Sequence, residues 1–479
     1  MNTPKRPAPR ASLTRREFVG LGVGAAALHG AAGSVPAAGQ TAPRLPGANV
    51  VPKAAAGRLA PQEIVVGIYQ SPHSEAVKRL APIFTDITGK KVTVRVAEVP
   101  TDAWRAKKLA VWQAHSDEYD VIEEEAQDFL QSGPARFFEP LDPYLKNPEL
   151  MNAEAFKLSD FPKSLLAVHS YQGQLYLLPF ECGAYFTFAR KDLLAEHGVK
   201  ESPPLDGWTW DQTVEVLRTV QESINTKGIK NLWAMAHIFR DRNAGWMYQY
   251  LVYSTGFVPW KEDLTPLLNA DPAVEAMQLL YDLMHKYKVV SPGSVGYKYA
   301  EMVELINQSR VVVGLQWNAS AETNEKPDKS QAAGKLAYAN LPYFKNAGPR
   351  VRRQVPAPDA FGLNPNSRKK EAAFEFLAWY HSPEVARDYV TNGGGTSGRN
   401  TLLTDPTIVA NHPWYPAMLR AIETYFTMPQ TAYYPQIIFG QILPPALHEA
   451  WAGRLTVKQA LDKAQAEAVA LLKEKGVLK

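Results

Sequence analysis

The sequence predicts an α/β fold divided between two lobes, and the chain length and the order of apolar segments carry this prediction. With 479 residues the chain is too long for one ordinary core and suits two lobes of roughly 150–200 residues each. From residue 64 onward, short apolar segments of strand length alternate with amphipathic segments of helix length. This alternation is typical of a mainly parallel sheet covered by helices.

Composition is that of an ordinary globular protein. Apolar residues make up 46% of the chain and charged residues 21%, whereas a disordered chain has fewer apolar residues and a larger net charge. The formal charge is +4, from 52 Lys and Arg against 48 Asp and Glu, and no long basic block lies outside the N-terminus. We expect no nucleic-acid partner, because nucleic acids require a concentrated basic face.

The chain has one cysteine, Cys182. A lone cysteine excludes an intramolecular disulfide and a cysteine-rich metal site. We also expect no lipid anchor, because a lipoprotein carries its cysteine directly after an N-terminal apolar segment. No run of about 18 apolar residues follows that segment, so we expect a soluble mature chain.

The N-terminus has the order of charged, apolar and small residues that is typical of a signal peptide. Arg15 and Arg16 precede an uncharged, Gly- and Ala-rich stretch that ends near Ala32, and small residues suited to a signal peptidase come next. The paired arginines resemble the twin-arginine export signal, and an ordinary secretory signal is the alternative. We predict a signal peptide over residues 1–37 and a flexible linker, rich in Ala, Pro and Gly, over residues 38–61.

The first part of the mature chain has the order strand, helix, strand, helix, strand. The first helix carries Val77, Leu80 and Phe84 on one face at three- and four-residue steps, and Gly89 ends it. We predict strands at residues 64–68, 92–96 and 119–122, and helices at residues 75–88 and near 102–115.

Later in the chain, helices outnumber strands. A mainly helical stretch covers residues 208–287. Capping residues at Asp271, Ser382 and Thr456 indicate helix starts. Further strands are predicted at residues 175–178, 185–188, 310–315 and 360–363.

Three adjacent carboxylates, Glu123, Glu124 and Glu125, follow the predicted strand at residues 119–122. Such a run is usually a solvated turn. In open α/β sheets, however, ligands lie beyond the carboxyl ends of strands, and a carboxylate there can accept hydrogen bonds from two sugar hydroxyls. Both interpretations stay open. The run lacks recognisable metal-ligand spacing, and we predict no metal and no cofactor.

Trp317 and Asn318 lie at the exit of another predicted strand. The indole of Trp317 suits the relatively apolar C–H face of a sugar ring, and the Asn318 amide suits the hydroxyls at its rim. The alternative is a tryptophan in the core. Tyr69, Gln70 and His73 follow the first strand in the same way, and there too ligand contact and a structural role stay open.

Residues 393–398 (GGGTSG) satisfy the spacing G-x-G-x-x-G, but they follow a predicted helix instead of a strand, so we expect no dinucleotide site. Arg399 stands where a nucleophile elbow requires glycine, and no Walker lysine follows. The stretch is either a flexible loop or a loop whose bare backbone, at Gly394 and Gly395, approaches a ligand closely.

The order of these segments resembles the extracellular solute-binding proteins of ABC importers, in the carbohydrate-binding group that includes maltose-binding protein. The resemblance covers nearly all of residues 62–479 and rests on landmarks in order, not on one sharp motif. The landmarks are residues 84–89 (FTDITG), 92–94 (VTV), 119–122 (YDVI), 138–142 (FEPLD), 171–180 (YQGQLYLLPF), 371–377 (EAAFEFL), 453–456 (GRLT) and 460–462 (ALD).

The resemblance implies a two-lobe periplasmic-binding-protein type II fold, with a hinge and a ligand cleft between the lobes. Lobe 1 would comprise residues 62–180 and about 358–403, and lobe 2 residues 181–357 and about 404–479. The implied function is that of a non-catalytic, monomeric receptor in the periplasm. It would deliver a sugar or polyol to ABC permease subunits in the inner membrane.

The family's cleft positions carry over to specific residues of this chain. By position, the ligand-binding residues would be Tyr69, Gln70, His73, Glu124, Glu125, Gln127, Glu181, Tyr185, Trp246, Trp317, Asn318, Gly394, Gly395 and Arg399.

Two features depart from the family pattern. Acids at positions 123–125 replace the aromatic or neutral residues that many sugar binders have, so a cationic or amino sugar would also suit them. Residues 240–242 (RDR) either suit an acidic sugar or are solvated. The alternative function is an exported, glycoside-hydrolase-like enzyme, in which Glu124 and Glu181 would be the paired carboxylates.

Overall fold

The computed structural model describes residues 44–479, apart from the side chain of Asp102. The predicted signal peptide and residues 38–43 of the predicted linker lie outside the described residues. The strands are β1 (Gln62–Tyr69), β2 (Val92–Val99), β3 (Val121–Glu125), β4 (Ser170–Tyr171), β5 (Gln174–Leu175), β6 (Leu177–Pro179), β7 (Tyr185–Arg190), β8 (Trp233–His237), β9 (Val311–Trp317), β10 (Leu336–Ala339) and β11 (Asp359–Leu363).

Helices connect and cover these strands. Within residues 44–479, none of them combines the length and the apolar content that crossing a lipid bilayer requires. The helices are α1 (Pro52–Ala55), α2 (Pro72–Ile87), α3 (Thr101–Gln113), α4 (Ala126–Ser132), α5 (Asp142–Leu145), α6 (Ala153–Phe156), α7 (Lys163–Ala167), α8 (Lys191–Glu196), α9 (Trp210–Thr226), α10 (Asn243–Ser254), α11 (Asp271–His285), α12 (Tyr299–Asn307), α13 (Ala321–Asn324), α14 (Lys370–Tyr380), α15 (Pro383–Thr391), α16 (Asn400–Leu403), α17 (Pro406–Val409), α18 (Tyr415–Glu423), α19 (Tyr434–Ile438), α20 (Leu443–Trp451) and α21 (Val457–Glu474).

The first sheet has five strands in the order β2-β1-β3-β11-β6. Strand β1 is parallel to both β2 and β3, as the alternating segments predict. Strand β11 runs antiparallel to both of its neighbours and pairs Asp359 with Glu125 and Phe361 with Leu178. A strand from far along the chain therefore completes a sheet that the first strands begin.

The second sheet has four strands in the order β10-β7-β9-β8. Strand β7, which is buried at every residue, is antiparallel to β9 and pairs Tyr185 with Trp317. Strand β8 is parallel to β9. The chain passes from the first sheet to the second after Pro179 and returns before Asp359. The lobe limits given above stay a prediction.

Local sequence predicted two helices whose starts the structure explains through capping residues. Helix α2 begins at Pro72 rather than at Glu75, because Ser71 caps its first turn, and its apolar face is buried as predicted. Helix α21 begins with the predicted capping box, in which Thr456 and Gln459 each bond the other's backbone.

Three local predictions are wrong. Glu123 to Glu125 do not follow the third strand; they complete β3, because pairing with β11 extends it to Glu125. Trp317 likewise ends β9 instead of following it. Asp271 is the first residue of α11 and makes no capping hydrogen bond, and the N-cap position belongs to Ala270.

Residues 45–61 are not the flexible linker that composition predicted. Ala54 is fully buried, and the backbone N–H groups of Lys53 and Ala54 each donate to the Glu375 carboxylate at 3.1 Å. The Trp379 indole N–H donates to a backbone carbonyl of the segment at 2.9 Å. Glu375 and Trp379 both belong to α14, so a carboxylate of α14 satisfies the first N–H groups of α1 and holds the segment in place.

The Glu375 contact predicts a pH-dependent stability. Burial raises the pKa of the Glu375 carboxyl to about 7, although the two backbone donors favour its charged form. The folded state therefore binds this proton more tightly than the unfolded state, so this contribution to stability is complete below the ordinary pKa of 4.5 and is lost as pH rises through about 7. Glu375→Gln keeps an acceptor but cannot ionise. We expect its unfolding temperature to exceed that of the parent by about 2–4 °C above pH 8 and to match it near pH 4.5.

Thermal unfolding of both proteins from pH 4.5 to 8.5 measures this difference. Glu467→Gln, at an exposed position of α21, is the control and should show no such trend. A temperature difference for Glu375→Gln that stays the same at every pH would contradict the assignment.

Candidate functional site

Three ionisable side chains converge at one edge of the first sheet. His73 lies in the first turn of α2, Glu181 follows β6, and Asp359 is the first residue of β11. Their exposures are 5%, 5% and 6%, and one nitrogen or oxygen atom of each lies within 4.8 Å of those of the other two. These three residues are called the His–Glu–Asp cluster below.

Local structure places each member of the cluster. The Ser71 cap turns the chain from β1 directly into α2, which puts His73 beside the end of β1. The pairing of Asp359 with Glu125 sets the first residue of β11 against the last residue of β3. Glu181 forms an isolated antiparallel bridge with Ser397, so the connection after β6 lies against the glycine-rich loop.

Hydrogen bonds fix the orientation of these side chains. The Tyr69 hydroxyl donates to Asp359 Oδ2 at 2.5 Å. His73 Nδ1 lies 2.7 Å from the Tyr389 hydroxyl and 2.9 Å from the carbonyl oxygen of Gly394, and Nε2 faces Asp359 Oδ2 at 3.7 Å. Glu181 Oε2 is buried and has no hydrogen-bond partner among the described residues.

Burial dominates the electrostatics of the cluster. It raises the pKa of Asp359 to about 7, and the Glu125 charge adds to the effect. It also raises the pKa of Glu181 well above its usual range, with Asp359 adding. The same burial lowers the pKa of His73 to about 4, so the imidazole is neutral near pH 7.

The glycine-rich loop lies against the cluster and is buried from Gly394 onward. A Cβ at Gly394 would lie 2.3 Å from the ring of Tyr389. Gly395 has φ +108°, and a Cβ there would lie 3.4 Å from His73 Cε1 and 3.5 Å from Glu181 Oε2. Glycine is therefore required for this close approach, and the flexible-loop interpretation is wrong.

Aromatic rings gather at the end of the second sheet. Trp317 is half-buried and meets Tyr185 edge-to-face at 5.2 Å and Trp246 at 4.9 Å between ring centroids. Tyr250 stacks on Tyr185 at 4.7 Å, and Phe439 packs on Trp246 at 4.3 Å. These five residues are called the aromatic cluster below, and Trp317 is its partly open member.

Two contacts tie the sheets together near these clusters. Asn318 Nδ2 donates to Thr396 Oγ1 at 2.9 Å, which joins the end of β9 to the glycine-rich loop. Arg242, directly before α10, pairs with Glu125 at the end of β3, with 3.4 Å between Nη1 and Oε2. The Arg242 guanidinium also lies over the rings of Trp246 and Phe439, 5.9 Å and 5.4 Å from their centroids.

The structure thus brings many of the predicted residues together, and whether they contact ligand stays a prediction. Tyr69, Gly394 and Gly395 surround the His–Glu–Asp cluster, which itself contains two predicted residues. The predicted residues around the two clusters are Tyr69, His73, Glu125, Glu181, Tyr185, Trp246, Trp317, Gly394 and Gly395.

The acids of β3 have a different environment from the one predicted. Glu124 is fully buried and forms an ion pair with Lys108 of α3, which is also buried. Glu123 is fully buried too and accepts a hydrogen bond from the Trp104 indole. A solvated turn is therefore wrong for both residues. Gln127 is 1% exposed, in the first turn of α4.

Arg399 and Asn318 are committed to holding the fold. The Arg399 guanidinium donates to the carbonyls of His381 and Phe156, at 2.9 Å from Nε and 2.7 Å from Nη2, and lies over the Phe161 ring at 4.4 Å. The Asn318 amide accepts from the Ala184 N–H at 2.9 Å besides donating to the loop. These contacts give both side chains a structural role, and ligand contact by either residue stays a prediction.

Gln70 is exposed, and its backbone carbonyl accepts from the Thr101 hydroxyl at 2.9 Å. Sequence reasoning missed Asp359, Tyr389 and Tyr250, and it named Arg242 only within residues 240–242. Asp359 directly precedes the predicted strand at residues 360–363, and it meets the carboxyl end of β3 only because β11 runs antiparallel to β3. The two tyrosines lie inside ordinary helix patterns and gave no signal.

A model of the family described as bacterial extracellular solute-binding protein matches residues 70–387, a span that includes the whole His–Glu–Asp cluster. The chain belongs to this family. The resemblance stated from the sequence is confirmed.

Two curated proteins are similar to this solute-binding protein. The erythritol/L-threitol-binding protein of Mycolicibacterium smegmatis is 24% identical over 350 residues, covering 68% of this chain and 69% of that protein. A probable amino-acid ABC transporter periplasmic-binding protein of Sinorhizobium fredii is 24% identical over 219 residues, covering 45% of this chain and 47% of that protein. The chain thus spans about half the length of the second of these relatives.

A solved structure shows the fold of this solute-binding protein. An ABC transporter solute-binding protein from Agrobacterium radiobacter, in complex with ribitol, superposes with a TM-score of 0.74 over 86% of this chain and 99% of that chain, at 21% identity. The two-lobe type II fold predicted from the sequence is confirmed.

The commitment of Arg399 to the fold leads to a prediction. We expect Arg399→Lys to lower the free energy of unfolding by about 2–4 kcal/mol, because lysine cannot reach the several carbonyls that the guanidinium satisfies. Thermal or denaturant unfolding measures this loss. The matched control is Arg368→Lys, whose parent side chain is 89% exposed. If Arg399→Lys instead weakens ligand affinity and leaves the free energy of unfolding unchanged, Arg399 contacts the ligand.

Proposed function

We propose that this solute-binding protein captures a polyol or sugar in the periplasm and delivers it to the permease of an ABC importer. The observation that carries the proposal is a buried, acceptor-rich cluster joined through the glycine-rich loop to a half-buried indole. Polyols and sugars offer hydroxyl donors for the carboxylates and C–H faces for the indole of Trp317.

The named ligands of the similar proteins support this class of ligand. One relative is named for erythritol and L-threitol, and one superposed structure holds ribitol. We propose that the ligand lies between lobe 1, residues 62–180 and about 358–403, and lobe 2, residues 181–357 and about 404–479. The protein acts as a monomer whose lobes close by a hinge motion.

We further propose export by the twin-arginine route, directed by residues 1–37. That route carries folded proteins, so the fold must form in the cytoplasm without disulfides. Cys182, the only cysteine of the chain, is buried and unpaired, which agrees with folding before export.

The proposed receptor has no catalytic activity. The enzyme alternative requires Glu124 and Glu181 as an acid and a base or nucleophile. Glu124 is held by Lys108 in a buried ion pair, which does not suit a group that must exchange protons with a substrate. The family itself is one of binding proteins.

A ligand panel tests the proposed function. We expect erythritol, ribitol or mannitol to raise the unfolding temperature in a saturable way, because a ligand that binds only the folded state stabilises it. Chromatography of the same mixtures should show no product. Product formation would support the enzyme instead. A shift with amino acids and none with polyols or sugars would contradict the proposed ligand class.

Trp317 provides a residue-level test. We expect Trp317→Ala to weaken affinity for the ligand found in the panel about tenfold or more, because truncating a central aromatic contact typically costs over 1 kcal/mol. Isothermal titration calorimetry measures the affinity, and circular dichroism checks the fold. The control is Trp233→Ala, because Trp233 opens β8 at the opposite end of the same sheet. Equal affinities in Trp317→Ala and the parent would remove Trp317 from the site.

A further inference from the structure

The atoms that face one another in the His–Glu–Asp cluster are an imidazole nitrogen and carboxyl oxygens, the atom types that bind metal ions. His73 Nε2 faces Asp359 Oδ2 at 3.7 Å, while Nδ1, on the other side of the ring, contacts the Gly394 carbonyl and the Tyr389 hydroxyl. Asp359 Oδ2 already accepts the Tyr69 hydroxyl. Among the described residues, Glu181 Oε2, on a side chain that is 5% exposed, has no hydrogen-bond partner. One imidazole and two carboxyl groups thus share a buried space in which a carboxyl oxygen is left unsatisfied.

Neighbouring basic side chains do not supply the missing positive charge. Among the described residues, Asp359 forms an ion pair only with His73, and Glu181 forms none. The nearby cations serve other acids. The pairs are Lys108 with Glu124, Arg105 with Asp128, and Arg242 with Glu125. A buried cluster of this kind is stabilised by a bound cation, by strong donors or by protonation of its acids.

We propose that His73, Glu181 and Asp359 bind a divalent transition-metal ion. One imidazole nitrogen and two carboxylate oxygens form a donor set that suits Zn²⁺ or Mn²⁺. The two carboxylate charges balance the charge of such an ion. The donor atoms lie within 4.8 Å of one another, and bonds of about 2.1 Å to one ion would bring them to roughly 3.4 Å, a contraction within the reach of side-chain rotation.

The surroundings of the three residues match those of known metal ligands. A metal-bound histidine typically donates its other N–H to a carbonyl or carboxylate, which fixes the ring and its tautomer. Gly394 supplies that carbonyl to His73, and the Tyr69 hydroxyl orients Asp359 in the same manner. The missing Cβ of Gly395 keeps the backbone close without filling the space beside Glu181 Oε2. This metal site goes beyond the proposed function, and it shares with that function the carboxylates of Glu181 and Asp359, which are offered there to solute hydroxyls.

Metal content of the untagged full-length protein tests the proposal. The protein is stripped with EDTA, dialysed against Zn²⁺ or Mn²⁺ near pH 7.5, and analysed for bound metal by mass spectrometry. We expect about one ion per chain and an unfolding temperature that rises with metal concentration. Glu181→Gln should lose at least nine-tenths of the bound metal. Glu63→Gln, at an exposed position of β1, should retain it as the parent does.

A second variant and a spectroscopic measurement protect the test against a folding defect. Asp359→Asn should lose the metal in the same way, and circular dichroism shows whether each variant is folded. The visible absorption of bound Co²⁺ reports coordination and should disappear in both variants. Failure to retain any metal, or equal retention in the parent and in folded Glu181→Gln, would overturn the proposal. Polyol binding by EDTA-treated protein would leave the proposed receptor function intact, so the two proposals fail separately.

Discussion

The antiparallel insertion of β11 between β3 and β6 brings the acidic groups of the His–Glu–Asp cluster and its surroundings to one edge of the first sheet. It sets Asp359 opposite Glu125, and the Asp359 carbonyl accepts the N–H of Phe180 at 3.1 Å, one residue before Glu181. The start of β11, the end of β3 and the connection after β6 therefore meet at one edge. Since His73 reaches the same edge through the first turn of α2, four distant parts of the chain converge there.

This convergence concentrates acidic groups in a space from which water is excluded. Several of the acids form ion pairs with basic side chains, as Glu124 does with Lys108 and Glu125 does with Arg242. Among the described residues, no Lys or Arg forms an ion pair with Glu181 or Asp359 of the His–Glu–Asp cluster. Burial consequently raises the pKa values of these two carboxyls. Burying carboxyl groups without donors or cations costs free energy unless the acids are protonated or a bound group supplies donors or positive charge. The same physical requirement underlies both the proposed ligand class and the proposed metal site.

The second sheet contributes a surface of different character. Its central strand β7 begins at Tyr185 and the neighbouring β9 ends at Trp317, and the two rings pack edge-to-face with each other. Rigid aromatic packing holds the half-buried Trp317 in one orientation, so that it can contact a ligand with little loss of side-chain freedom. The Glu125–Arg242 pair and the bond from Asn318 to the glycine-rich loop join this surface to the acidic one. A receptor that closes on its ligand requires such contacts between its halves.

Local patterns were sufficient to predict the fold class, the main strands, and the caps of helices such as α2 and α21. They also singled out His73 and Trp317, because each stands near the end of a predicted strand, whereas Glu181 was implied by the family resemblance. Ligand contact by these three residues stays a prediction. Local patterns did not predict the contacts of Arg399 or of residues 45–61, because composition does not show which distant carbonyls or carboxylates a segment meets.

The sequence by itself determined the α/β class and the aromatic and acidic residues available near the strand ends, since hydrophobic periodicity and capping act over a few residues. The family followed from the order of landmark segments along the chain. Only the tertiary structure decided which acids are paired. Glu124 and Asp359 are both buried carboxylates, yet one lies against Lys108 and the other beside a neutral imidazole. That difference arises from long-range strand pairing, and pairing partners so far apart in the chain leave no local signal in the sequence.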